Sequence, residues 1–225
     1  MLPDFQELAK PADKASGYLR NYLATQEVDP NTRFMFMSTS ADRPPGMGAQ
    51  EVIPDGRISE FCELSAMPDW RRQLSNFMRA PFKLGIPGVS ADQWETVEHY
   101  FQAYKMSLVS PDVAASFALA PSPGDEPDHL AGLAARRRRK ALVLDPDTLA
   151  QWDRVKWHVM AIALAAKFRT HDDLASTLLA TRDAHLIHAP GRSRRHGGSD
   201  RRGRLVDHSQ WGLMSVRREL QSGLN

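Results

Sequence analysis

The sequence has very little cysteine and no long hydrophobic run. Its 225 residues include one cysteine, Cys62, so no disulfide can form within the chain. Secreted proteins usually carry paired cysteines, so this composition favours a reducing cytoplasm. The longest apolar run, Val159 to Ala166, is far shorter than the roughly 20 residues that cross a bilayer. Proline and charged residues among the first ten interrupt any apolar N-terminal region, so we expect no signal peptide and a soluble, cytoplasmic protein.

Lysine is also scarce compared with arginine. The 29 basic residues are 22 arginines and 7 lysines, and the net charge is only +2. The positive charge is concentrated in two clusters, Arg136 to Lys140 without an acidic residue and Gly191 to Arg204 with six arginines and one aspartate. Such clusters attract phosphate groups, as in nucleic acids and nucleotides. The alternative is a solvated surface in which arginine simply replaces lysine.

Composition and periodicity predict a mostly helical domain. Hydrophobic residues make up 42% and charged residues 25%, which excludes a disordered or collagen-like chain. We predict a compact α+β fold with a few short strands. The predicted helices cover about 5–23, 96–108, 111–120, 129–140, 146–168, 172–180 and 210–220. The predicted strands cover 33–38, 81–84 and 184–188, and the rest of 64–84 is expected to be irregular.

The most periodic helix carries two rows of side chains. Val97, Phe101, Tyr104 and Leu108 follow helical spacing, so we expect this row to face the core. Turned about 100° from it lies a polar row of Glu98, Gln102 and Lys105, with Thr96 or Glu95 as the N-cap. From spacing alone, the polar row is either catalytic or the solvated edge of an amphipathic helix.

Two familiar site motifs are incomplete. Glu98-His99 differs from the zinc-binding H-E-x-x-H motif in residue order and has Ala103 where a second histidine would be needed, so we predict no metal site. Gly46-x-Gly48 lacks the strand-helix context of a dinucleotide site, which leaves a loop whose amides approach an anion or an ordinary loop. We therefore predict no cofactor.

Several segments, in order along the chain, resemble the NADAR family of N-glycosidases, whose name refers to NAD and ADP-ribose. The strongest is Trp94-x-Thr96-Val97-Glu98-His99-Tyr100-Phe101-Gln102-Ala103-x-Lys105, preceded by Leu74-Ser75-Asn76-Phe77 and Pro81-Phe82. Similar segments follow at Trp152 to Phe168, Leu178 to His188 and Leu213 to Leu220. The likeness covers roughly 33–220, and it divides the chain into an N-terminal helical extension (1–30) and a NADAR-like N-glycosidase domain (31–225).

The resemblance implies a set of site residues. Glu98 matches the position that we assign to catalysis, and Asp153 is the candidate second carboxylate, because glycosidases commonly use two. Lys105 and Lys156 suit a phosphate or pyrophosphate, and Trp94 or Trp152 could stack on a base. The expected substrate-binding residues are Ser75, Asn76, Phe77, Trp94, Gln102, Lys105, Trp152 and Lys156.

The resemblance leaves the substrate open. One reading is hydrolysis of an N-glycosidic bond at an ADP-ribosyl or ribosyl-phosphate group, with reversal of ADP-ribosylation of guanine in nucleic acid as a specific case. A second is hydrolysis of phosphorylated pyrimidine intermediates of riboflavin synthesis, and a third is a non-catalytic ADP-ribose-binding module. The family commonly has a Trp-Gly stretch after its closing strand, whereas this chain has the basic Pro190 to Gly198 there and Trp211-Gly212 later. We expect nucleic acid or a small phosphorylated molecule as partner, and no membrane.

Overall fold

The computed structural model describes residues 28–120, 124–140, 142–189 and 208–223. The described residues form eight α-helices, four short strands and two 3-10 helices, Asp55–Phe61 and Asp128–Leu130. The strands are β1 (Asp29–Phe36), β2 (Phe82–Lys83), β3 (Gln93–Trp94) and β4 (Ala184–His188). The helices are α1 (Cys62–Ala66), α2 (Trp70–Gln73), α3 (Val97–Ser107), α4 (Pro111–Ala115), α5 (Gly132–Lys140), α6 (Pro146–Thr170), α7 (Asp172–Ala180) and α8 (His208–Gln221). The predicted mostly helical α+β fold is confirmed.

Two small sheets hold distant parts of the chain together. Strands β1 and β4 pair in parallel, with Phe34 opposite Leu186, and both of these side chains are fully buried. Strands β2 and β3 form a separate antiparallel pair in which Phe82 lies opposite Trp94. The parallel pair joins the beginning of the described chain to a strand more than 140 residues later, so it is a non-local contact of the kind that slows folding.

The long helix α6 forms the centre of the helical layer. The Asp145 side chain accepts a hydrogen bond from the Thr148 amide, and Pro146 occupies the first turn, where a missing N–H costs nothing. The helix continues for 25 residues and contacts α3, α7 and α8. None of the helices within the described ranges combines the length and apolar character needed to span a membrane.

Most predicted element bounds are confirmed to within a few residues, with two corrections. The segment 64–84 was expected to be irregular outside one strand, but it contains the end of α1 and all of α2. The predicted helix 111–120 stops at Ala115. The predicted N-terminal helices within 5–23 and the basic stretch 191–204 lie outside the described residues.

The apolar row of α3 packs against the core as expected, but it is not the most deeply buried face of the helix. Val97 is fully buried, but Phe101, Tyr104 and Leu108 are only partly buried. Glu98 and Gln102, from the polar row, are more deeply buried than these three and are only 6% and 8% exposed. Because α3 is covered on several sides by β3, α4, α5 and α6, no single apolar stripe marks its inner face. The polar row is therefore part of the interior.

Candidate functional site

Glu98 lies in the first turn of α3. The Thr96 side chain caps the helix by accepting a hydrogen bond from the His99 amide at 3.2 Å. A carboxylate in the first turn is stabilised by the positive end of the helix dipole. The local sequence therefore places a buried negative charge where the backbone tolerates it.

Two amide side chains hold the Glu98 carboxylate. Asn76 Nδ2 donates to Glu98 Oε2 at 2.6 Å, and Gln102 Nε2 donates to Oε1 at 2.8 Å. Asn76 comes from the turn after α2, whereas Gln102 is one helical turn beyond Glu98. Hydrogen bonds to an ionised group are shorter and stronger than neutral ones. The three predicted residues therefore form one buried unit with a fixed orientation.

Three helices anchor the turn that carries Asn76. The Ser75 carbonyl accepts from Lys167 Nζ in α6 at 2.9 Å, and the Asn76 carbonyl accepts from the Glu98 amide in α3 at 3.0 Å. The Phe77 carbonyl accepts from the Gly132 amide in α5 at 3.0 Å. Three consecutive carbonyls of a buried turn thus find donors on three different elements.

Lys167 lies within the segment Trp152 to Phe168 that resembles the family, but no role was assigned to it from the sequence. Its side chain is fully buried and also donates to the Gln73 carbonyl at 2.6 Å. Burial lowers the pKa of this lysine from 10.5 to about 7. A sequence signal for it exists, because Lys167 continues the i, i+4 series of the buried Val159 and Ala163. A charge on such a core-facing row requires partners in the interior.

The amide of Gln102 has one atom left over. Its Oε1 is buried and has no hydrogen-bond partner among the described residues. A buried acceptor without a partner costs about 1–3 kcal/mol. This oxygen lies on the same amide group whose Nε2 donates to Glu98.

Lys105 lies two helical turns beyond Glu98, a rise of about 10 Å. Its Nζ is 5.6 Å from the centre of the Trp152 ring. Burial lowers the Lys105 pKa, the nearby Arg139 and Lys156 charges lower it further, and the nearby Asp153 charge raises it. These residues bring positive charge from α3, α5 and α6 together at one end of the polar row, which suits a phosphate group.

Asp153, the predicted second carboxylate, is exposed and forms an ion pair with Lys156. Its Oδ1 accepts from Lys156 Nζ at 2.5 Å, and its side chain is 59% exposed. The described contacts place it with the cationic group around Lys105 and not in the hydrogen-bonded unit of Glu98. Its catalytic role stays a prediction.

The remaining predicted residues differ in position. Ser75 is buried, and its hydroxyl accepts from the Phe77 amide at 3.2 Å, which shapes the turn. Trp152 is 5% exposed and meets Phe101 edge to face with ring centres 4.6 Å apart. Trp94 is fully buried against Tyr100, and its indole N–H donates to the Leu84 carbonyl. Tyr100 leaves α3 about 200° from Glu98, so Trp94 lies on the far side of the helix.

The glycine-rich loop binds an anion of the chain itself. The amides of Gly46 and Gly48 donate to Glu51 Oε2 at 3.1 and 2.9 Å. The same carboxylate accepts from Arg71 Nε and Nη2 at 2.7 and 2.6 Å and from the Met35 amide. A Cβ at Gly48 would overlap the Glu51 carboxyl group. These amides are therefore used internally, and this buried ion pair between Glu51 and Arg71 was missed by the sequence-based interpretation.

A comparison with protein-family models decides the family. The NADAR domain model matches residues 65–221, which is well over half of the chain. The chain belongs to the NADAR family. The match includes the turn with Asn76, all of α3 and the long helix α6.

The NADAR relatives include curated N-glycosidases. A Nostoc punctiforme N-glycosidase is 34% identical over 135 residues, covering 59% of this chain and 78% of that protein. The N-glycosidase YbiA of Escherichia coli is 33% identical over 138 residues, covering 61% of this chain and 72% of that protein. The NMR structure of E. coli YbiA matches 89% of this chain and 91% of that chain, with 25% identity and a TM-score of 0.49. The chain is thus a member of a family of N-glycosyl hydrolases.

A longer plant protein also matches. The chloroplastic riboflavin biosynthesis protein PYRR of Zea mays is 31% identical over 198 residues, which cover 82% of this chain but only 30% of the plant protein. This chain therefore corresponds to about a third of that relative.

Two further expectations concern metal ions and the family's closing segment. Within the described residues, no group of three or more histidine, cysteine, aspartate or glutamate side chains could hold a metal ion. The stretch Pro190 to Gly198, where the resemblance predicts a Trp-Gly segment, lies outside the described residues, as does the side chain of Trp211.

Proposed function

We propose that this NADAR protein hydrolyses the N-glycosidic bond of a ribose that carries phosphate, with Glu98 as its catalytic residue. The observation that carries the proposal is the buried Glu98 carboxylate, held through both oxygens by Asn76 and Gln102. A carboxylate fixed in this way is preorganised to face the positive charge that develops on the sugar as the bond breaks.

The reaction needs one water molecule. Its oxygen bonds to C1 of the ribose as the bond between C1 and nitrogen breaks, and the water proton passes to the Glu98 carboxylate. The departing nitrogen takes up a proton and Glu98 gives up the one it received, so the products are a compound with an N–H in place of the broken bond and a ribose with a hydroxyl at C1. For ADP-ribosylated guanine in nucleic acid these are an unmodified guanine that stays in the strand and free ADP-ribose, and for the pyrimidine intermediate they are a free pyrimidine and a ribose phosphate. Glu98 serves as general base and as electrostatic partner of the oxocarbenium-like transition state. The unpartnered Gln102 Oε1 is the acceptor that we assign to the attacking water or to a ribose hydroxyl.

The cationic group around Lys105 supports a phosphorylated substrate. Lys105 lies about two helical turns from Glu98 along α3, and the charges of Lys156 on α6 and Arg139 on α5 act on it. A substrate whose phosphate binds this cationic group would extend along α3 toward Glu98. An ADP-ribosyl group attached to guanine in nucleic acid is the substrate class we favour, because it combines this phosphate with the basic clusters of the chain.

A second substrate class has its own support. The Zea mays relative is named as a riboflavin biosynthesis protein, so phosphorylated pyrimidine intermediates of that synthesis are the alternative. Such molecules are small, and their hydrolysis would not require the arginine cluster of α5.

The first prediction follows from the Glu98 unit. Glu98→Gln should lower turnover by a factor of about 10² to 10⁴, since it removes a positioned acid-base group while keeping shape and volume. Purified wild-type and variant protein are incubated with an oligonucleotide carrying ADP-ribosylated guanine and, separately, with the phosphorylated pyrimidine intermediate. Chromatography measures the ADP-ribose released from the oligonucleotide or the pyrimidine released from the intermediate, and thermal unfolding measures folding.

The outcomes separate the alternatives. Glu98-dependent release from the oligonucleotide supports the favoured class, and release only from the pyrimidine intermediate supports the second. Glu63→Gln is the matched control, because Glu63 is exposed in α1 and should not change turnover. Tight binding of ADP-ribose without cleavage of either substrate would overturn the proposal in favour of a binding module.

A further inference from the structure

Helix α5 carries an unusual density of positive charge. Its last five residues run from Arg136 to Lys140 without an acidic residue. Two of its arginines are used locally, because Arg137 forms an ion pair with Glu126 and Arg138 donates to the Ser116 carbonyl. Arg136, Arg139 and Lys140 form no ion pair with any carboxylate in the ranges that the structure describes.

The uncompensated arginines lie on the side of α5 that faces the Glu98 site. Gly132, Arg136 and Arg139 follow the i, i+4, i+7 spacing of one helical row. At the start of this row, a Cβ on Gly132 would come within 2.8 Å of Phe77 Cα, so the helix backbone touches the turn. One turn later, the Arg136 guanidinium lies 6.0 Å from the centre of the Phe77 ring. Phe77 directly follows Asn76, which holds Glu98.

The far end of the row reaches the second cationic group. The charge of Arg139 acts on Lys105, and so does that of Lys156 on α6. Positive groups therefore lie near Phe77, which follows Asn76 in the chain, and near Lys105 at the other end of the polar row, where Asp153 is the acidic residue among them. A row of positive side chains on a solvated helix would be an ordinary surface feature. This row lies near both ends of the polar row that runs from Glu98 to Lys105.

We propose that Arg136, Arg139 and Lys140, here called the α5 cationic row, bind the phosphodiester backbone of a single-stranded nucleic acid whose modified nucleotide lies at Glu98. The proposal rests on the proposed function and names the macromolecule that the site would serve. Arginine forks match phosphate oxygens. A single strand is favoured over a duplex because an unpaired base is already out of the helical stack and can enter a buried site.

The test measures binding and does not depend on cleavage. In a Glu98→Gln background, the affinity for an unmodified, fluorescein-labelled single-stranded 12-mer is measured by anisotropy between 50 and 200 mM NaCl. The double variant Arg136→Gln, Arg139→Gln keeps the aliphatic stems but removes two charges. Losing two phosphate contacts should reduce the salt slope of log affinity by about 1.4 and weaken binding about 25-fold near 0.1 M salt.

The control variant also removes two positive charges, but from residues outside α5. In the Glu98→Gln background, Lys83→Gln with Arg169→Gln also lowers the net charge by two, but Lys83 lies in β2 and Arg169 near the end of α6, where it contacts Glu219. The control should bind like the parent protein. Equal losses in both double variants, an unchanged slope in the α5 variant, absence of binding by the parent protein, or equally tight binding of a duplex of the same sequence would each overturn the proposal.

The binding result and the cleavage result are separable. Oligonucleotide binding through the α5 cationic row, without cleavage of either substrate by wild-type protein, would reject the proposed glycosidase function and keep the nucleic-acid surface. Cleavage of a substrate by wild-type protein, together with unchanged binding by the α5 variant, would keep the glycosidase function and reject the nucleic-acid surface.

Discussion

At the scale of single residues, the turn 75–77 depends on a lysine that takes no part in the proposed reaction. Lys167 donates to the Gln73 and Ser75 carbonyls and so fixes the turn from which Asn76 reaches Glu98. Lys167 does not contact the Glu98 carboxylate, but without its side chain the Gln73 and Ser75 carbonyls would lose their hydrogen-bond donor. Lys167 is a positioning residue for the site.

The lowered pKa of Lys167 should be visible in the pH dependence of the free energy of unfolding. Its pKa falls from 10.5 to about 7 in the folded protein because of burial. Between these two values the unfolded chain holds the proton and the folded chain does not, so this residue raises stability as pH increases. Between pH 7 and pH 8.5 the wild-type protein should gain about 2 kcal/mol relative to Lys167→Met.

The measurement is urea unfolding of both proteins at several pH values. Lys156→Met serves as control, because Lys156 is only partly buried and should give no comparable gain. A constant difference between wild type and Lys167→Met over this range would contradict the lowered pKa.

At the scale of elements, the approach of α5 to the turn is set by one glycine. The Gly132 amide donates to the Phe77 carbonyl, and its Cα is so close that a Cβ would meet backbone and ring of Phe77 at 2.8–3.0 Å. Backbone atoms cannot move aside as the end of a flexible side chain can. The helix can carry its arginines to the site only because this position has no side chain.

Gly132→Ala should therefore displace α5. Overpacking of this kind typically costs about 1–3 kcal/mol, despite the better helix propensity of alanine. Thermal and urea unfolding measure the loss. Gly56→Ala is the matched control, since a Cβ there meets nothing within 4 Å and should change stability by less than about 0.5 kcal/mol. Equal behaviour of the two variants would show that α5 can shift without cost.

At the scale of the whole molecule, stability should fall in mild acid through His99. This side chain is buried in α3, with Nδ1 at 2.9 Å from Thr96 Oγ1. Burial, aided by the positive charges of Arg138 and Arg79, lowers its pKa from 6.5 to about 4. Between these pH values His99 is protonated in the unfolded chain but not in the folded chain, so the free energy of unfolding decreases as pH falls.

The expected loss between pH 7 and pH 5 is about 2 kcal/mol from this residue. Comparing urea unfolding of wild-type protein with that of His99→Gln over this range isolates it. The variant should show a correspondingly flatter dependence on pH, and His129→Gln, in the 3-10 turn before α5, should behave like wild type. A parallel decline of wild type and His99→Gln would contradict the assignment.

Much of the fold follows from local patterns in the sequence. The bounds of α7 and β4 agree with prediction, and the caps at Thr96 and Asp145 lie where side-chain type and spacing place them. Such features depend on hydrogen bonds between residues three or four positions apart, so a short window contains the information. The helices α1 and α2 were missed because each is too short to show a period.

Within the site, the sequence by itself determined that Glu98 and Gln102 are neighbours, since one helical turn separates them. The family resemblance pointed to Asn76 as well. Only the tertiary structure decided that Asn76 lies on the other carboxylate oxygen, that Lys167 and Gly132 anchor its turn, and that α5 brings its arginines alongside. The physical reason is range: periodicity and capping act within a helical turn, whereas these contacts join elements that meet only when the core packs and their buried polar groups must find partners.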